Sequence, residues 1–165
     1  MSVRWAVAIL LALLAGACGG GPAVDQTLQL TVETFPEQES GHLPAAQVQA
    51  ILSGEIEPPD FNSDPPTSGP RASRPAACGI FRQPVPDVYQ LRNLELGAVA
   101  FQYAPSLEVA EVERLERLAR RLGDQGIVAP RPGLAAPMVA TAWTTLMVLD
   151  EVDEDLLSLF HETYS

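Results

Sequence analysis

Two cysteines, two histidines and twenty-one Asp and Glu residues are the groups with which this 165-residue chain could do chemistry. Cys78 is a thiol, a metal ligand or a small buried hydrophobe, and without an activating histidine in its own motif it reads as the last of these. Ser68, between Thr67 and Gly69, lacks the G-x-S-x-G setting of a nucleophile elbow. No glycine-rich phosphate loop and no paired-carboxylate motif occurs along the chain. His161 falls on the outer part of a C-terminal helical pattern and is expected in solvent, whereas Trp143 is expected in the core.

These groups sit in an acidic chain. Ten arginines, no lysine and a formal charge of -11 set up a field that repels phosphate backbones, which excludes nucleic-acid binding. A hydrophobic content of 47% excludes global disorder, and the length suits one domain.

Much of the apolar content lies at the start. Met1 to Ala17 has one cation, Arg4, then an apolar run from Trp5 to Ala15. That is the pattern of a signal peptide, and it is far short of the roughly 20 residues that span a bilayer. Gly16-Ala17-Cys18 resembles the bacterial lipobox, although Ala15 occupies the place where that motif prefers Leu. The resemblance implies a diacylglyceryl group on Cys18 and a partner in the membrane, with the protein on the extracytoplasmic side of the cell envelope. Losing Arg4 takes the charge to about -12, and with Cys18 acylated no disulfide framework exists. The organisation is a leader over residues 1–17, a flexible tether over 18–26 and a single domain over 27–165.

Within that domain, Thr27 to Val32 alternates as a short strand with Leu28, Leu30 and Val32 on one face. Ala45 to Leu52 fits either a short helix or an extended segment. Residues 58–86 hold eight prolines in twenty-nine positions and are expected to be a long ordered loop anchored by Phe61, Cys78, Ile80, Phe81, Val85 and Tyr89. Ala98 to Tyr103 reads as a buried strand. Leu107 to Leu122, capped by Ser106, reads as an amphipathic helix with Glu113–Arg117 and Glu116–Arg120 pairs on a solvated face. Ile127 to Ala129 is a short strand, Val139 to Leu149 a longer one. Asp150 is the expected cap of a last helix whose inner stripe is Val152, Leu156, Leu159, Phe160 and Tyr164. The fold class is α+β, a small mixed sheet with two helices against one face.

Pro65-Pro66-Thr67-Ser68-Gly69-Pro70-Arg71, Cys78-Gly79-Ile80-Phe81, Arg92-Asn93-Leu94-Glu95-Leu96-Gly97, Ala129-Pro130-Arg131-Pro132-Gly133-Leu134 and Ala142-Trp143 follow one another in the order of a known family pattern. Over roughly Gly41 to Tyr164 the chain resembles a bacterial family known as domain of unknown function 3105. The resemblance implies an extracytoplasmic, often membrane-tethered domain without a known activity. It also implies a ligand set: members carry histidines at the positions of His42, Arg71, Arg92 and Leu96, near the cysteine at Cys78. Imidazoles, a thiolate and a carboxylate on loops are donors suited to copper or zinc. Here Arg71, Arg92 and Leu96 replace three of the four imidazoles, and a guanidinium has no lone pair to offer a cation. Only His42, Cys78 and Glu95 remain for a metal or redox site. The rival expectation is that Arg71 and Arg92 pair with Glu95, substituting charge-assisted hydrogen bonds for a metal crosslink. The resulting reading is a non-catalytic binding or structural envelope domain without a cofactor, against the alternative of a residual metal-binding or redox domain.

Overall fold

The computed structural model describes residues 31–38, 41–123 and 125–165. The leader, Cys18, the tether and the Leu28–Leu30 part of the expected first strand lie outside the described residues. Four helices and two sheets make an α+β fold. The strands are β1 (Thr31–Thr34), β2 (His42–Leu43), β3 (Arg71–Ala72), β4 (Gly79–Ile80), β5 (Val99–Tyr103), β6 (Gly126–Pro130), β7 (Met138–Ala142) and β8 (Thr145–Leu149). The helices are α1 (Ala45–Ser53), α2 (Asp87–Glu95), α3 (Val109–Leu122) and α4 (Glu154–Tyr164).

β5 is apolar apart from Gln102 and Tyr103, and it lies mid-sheet with every residue buried. The main sheet runs β1-β8-β7-β5-β6-β4, antiparallel from β1 to β5 and parallel from β5 to β4. β2 and β3 form a separate parallel pair. On one face of the main sheet Val99, Phe101, Val128, Met138 and Met147 pack against Leu115 and Leu118 of α3 and Leu157 and Phe160 of α4.

The expectation of helices on one face alone is corrected by the other side. There Ala100, Ile127 and Ala129 meet Leu91 and Leu94 of α2. This helix hides in the sequence because its polar residues Gln90 and Asn93 are themselves buried, which blurs the apolar stripe of Val88, Leu91 and Leu94. Between residues 58 and 86 only β3 and β4 form, with Phe61 and Phe81 packed on the α2 side of the sheet.

Three local expectations also change. Val139 to Leu149 is a hairpin of β7 and β8 rather than one strand, turning at Trp143-Thr144. Thr144 takes φ 60, a left-handed conformation that a β-branched residue seldom adopts, so no Gly or Asn marks the turn. Helix α3 starts at Val109 behind Glu108, with no side-chain cap from Ser106. Helix α4 is capped by Asp153, whose Oδ1 accepts from the N–H groups of Asp155 (3.1 Å) and Leu156 (3.0 Å), and not by Asp150. Val152, Leu156 and Phe160 of the expected stripe do pack on the core, but Leu157 and His161 join it while Leu159 and Tyr164 are exposed. His161 is therefore buried, not solvated.

The cap assignment has a direct measurement. Asp153→Ala lowers unfolding free energy in denaturant titration by about 1 kcal/mol, whereas Asp150→Ala costs less than about 0.5 kcal/mol.

Candidate functional site

The C-terminal half of α2 carries the Arg92 to Leu96 motif and delivers it to the end of the sheet where β5 begins. There Glu95 is the hub. Arg71 donates from Nε to Glu95 Oε2 at 2.6 Å and from Nη2 to Oε1, a bidentate fork. Arg92, one helical turn earlier, donates from Nη1 to Oε2 at 2.5 Å. His42 Nε2 lies 3.6 Å from the same oxygen, since β2 and β3 place His42 opposite Arg71.

Arg71 also donates to the Gly69 carbonyl at 3.0 Å, and its Cζ lies 4.9 Å from the Trp143 ring centroid. Gly69 has φ +127, and a Cβ there would come within 3.0 Å of the Phe61 ring, so the turn that aims Arg71 needs glycine. The Arg71 fork is the largest influence on the Glu95 carboxyl. Burial works against it, and the Arg92 hydrogen bond adds to it. Together they hold the group well below the usual range, at about 2.

Two further ties complete the arrangement. Asn93 folds the preceding loop back on α2: its Oδ1 accepts from Ala76 N–H at 2.8 Å, and its Nδ2 donates to the Ala76 carbonyl at 2.9 Å and faces Cys78 Sγ at 3.6 Å. At the other end of α2, Arg131 donates to Asp87 Oδ1 at 2.6 Å and to Asp64 Oδ1 at 2.7 Å. Ser68 is buried and accepts from Gln38 N–H at 3.0 Å, while the Thr67 carbonyl accepts from Thr144 N–H at 3.0 Å.

The residues expected to form a site are thus partly gathered. Arg71, Arg92, His42 and Glu95 meet. Cys78 is exposed rather than buried, next to Gly79, which opens β4 at φ +137. Among the described residues no group of three or more His, Cys, Asp or Glu side chains is placed to hold a metal ion, so His42, Cys78 and Glu95 do not form one ligand set. Leu96, where a histidine was expected from the family pattern, is the C-cap of α2 and is 56% exposed.

The family model described as "Protein of unknown function (DUF3105)" matches residues 55–165. The chain belongs to this family. No curated protein and no solved structure matches it.

In this DUF3105 domain the motif residues hold loops to a scaffold. Glu95 has both oxygens taken by guanidinium groups, and its depressed pKa removes it from proton transfer near neutrality. Asn93 and Arg131 act likewise at two other joints. Sequence reasoning named Asn93 and Arg131 only as letters of a motif; the Pro residues flanking Arg131, which stiffen its backbone, were the available signal of a fixed role. Gln90 and Gln102 went unnoticed. They form a buried amide pair, with Gln90 Nε2 donating to Gln102 Oε1 at 3.1 Å.

The clamp has a pH signature. Because the folded carboxyl titrates at about 2 against an ordinary 4.5, its stabilisation is complete above pH 4.5 and is lost as pH falls through that interval. Glu95→Gln lowers the melting temperature at pH 7 and flattens the decline of stability between pH 4.5 and 2, both read by calorimetry. Arg71→Ala costs about 1.5 to 3 kcal/mol and more than Arg92→Ala, since Arg71 makes the fork and the Trp143 contact; equal losses in denaturant titration would contradict this ranking.

Proposed function

We propose that this chain is a lipid-anchored extracytoplasmic protein whose domain binds or scaffolds other molecules and does not catalyse a reaction. One observation carries the non-catalytic part. The polar groups of the motifs, at Arg71, Asn93, Glu95 and Arg131, are engaged with one another or with backbone in ties that join distant segments. A catalytic constellation needs groups free to meet a reacting atom, with pKa values near the working pH. Glu95 at about 2 is far from that condition.

The anchoring part rests on the sequence. Trp5 to Ala15 followed by Gly16-Ala17-Cys18 fits a leader cleaved before an acylated cysteine. Among the described residues no helix is long and apolar enough to cross a membrane, and in this reading the attachment is through acylation of Cys18. A single acyl chain holds weakly and a diacylglyceryl group holds firmly, as two-chain anchors do.

In a bacterial host fed an alkyne-tagged fatty acid, the wild-type protein takes up label and sediments with membranes. Cys18→Ser abolishes labelling and moves the protein to the soluble fraction. Undiminished labelling and sedimentation of the variant would overturn the anchor.

A further inference from the structure

We infer that the groove between α1 and α2 binds a small amphipathic carboxylate, a ligand with one anionic head and a compact apolar body. The inference gives the binding branch of the proposed function a location and rests on that branch, not on the lipid anchor.

The groove holds about 360 Å³, within the roughly 300 to 1,000 Å³ common for small-molecule sites. Its floor is apolar, from Leu43, Val48 and Ala72, and its rim carries Arg74, Gln49 and Tyr89. The floor is held in place by the Glu95 clamp, because Leu43 and Ala72 follow His42 and Arg71 in the paired strands β2 and β3.

Charge decides what the groove accepts. In so acidic a protein, each other described arginine has a carboxylate partner: Arg71, Arg82, Arg92, Arg114, Arg117, Arg120, Arg121 and Arg131. Among the described arginines Arg74 alone makes no ion pair or side-chain hydrogen bond, and it sits on this rim. The Tyr89 hydroxyl and the Gln49 amide are likewise without protein partners. No Asp or Glu lines the groove. The contrast is with the groove beside α3, where Glu108, Glu111, Asp150 and Glu151 would repel an anion.

A single planar guanidinium matches the two oxygens of a carboxylate, whereas a doubly charged phosphate would find only one cation here. The apolar floor then takes the body of the ligand out of water, and Gln49 and Tyr89 supply orienting hydrogen bonds.

The test uses the full chain and four probes in calorimetric titration: phenylacetate, neutral 2-phenylethanol, acetate and inorganic phosphate. Phenylacetate is expected to bind saturably, with the alcohol and acetate each about tenfold weaker, the size of a lost charge-assisted hydrogen bond or of the lost apolar contact. Arg74→Gln, at an exposed position, weakens phenylacetate about tenfold and leaves the alcohol unchanged. Arg117→Gln, an exposed arginine on α3, leaves phenylacetate binding as it is. Equal binding of phenylacetate by wild type and Arg74→Gln, equal binding of acid and alcohol, or tighter binding of phosphate would overturn the inference, as would the absence of saturable binding. None of these results bears on Cys18 acylation, so the two readings fail separately.

Discussion

One carboxylate governs how the periphery of this protein meets its sheet. Glu95 ends a helix that is packed on the scaffold through Leu91 and Leu94, and it reaches out to hold Arg71, on a strand pair that otherwise packs through Leu43 and Ala72 against Val48 and Val88. A two-residue ladder such as β2–β3 is marginal in water by itself. A bidentate guanidinium–carboxylate fork, stiffened by Gly69 and Trp143, supplies what the short ladder lacks. Asn93 and Arg131 repeat the device at the adjoining loop and at the start of α2. The helix is thus a spine with three polar hooks.

This arrangement suits a chain that builds its fold without disulfides. Long loops are expensive to order, and their backbone groups need partners. In residues 58–86 such partners include half-buried Ser63, which accepts from Thr67 N–H, and buried Asn93 of α2, which accepts from Ala76 N–H. The charge-assisted Arg71–Glu95 fork adds to these neutral bonds, and it is strengthened because both side chains are largely covered from water.

The central strand and helix α3 were legible from their apolar period, and the i,i+4 pairs of α3 form, Glu113–Arg117 at 3.9 Å and Glu116–Arg120 at 3.6 Å, although Glu116 is buried rather than on a solvated face. What escaped were elements in which polarity and burial disagree. Helix α2 buries Gln90 and Asn93, and α4 buries His161 while exposing Leu159, so a reading that equates apolar with inward goes astray at both. The β7–β8 turn escaped for a different reason, a threonine in a glycine's conformation. At the site, residue types in the motif pointed to Glu95 and its two arginines. The exposure of Cys78 did not follow from type or spacing, since a cysteine is more often buried than exposed.

The pairing of β1 with β8 joins Thr31 to Val148, across nearly the whole domain. In kinetic terms this is the costliest contact to close, because loop entropy must be lost before the ladder gives anything back. For a chain made from its N terminus, the first described strand appears long before its partner and must wait unpaired. Its sequence, Thr-Val-Glu-Thr, fits that wait: it is short, fully exposed even in the finished sheet, and carries a charge that discourages other strands from joining the open edge.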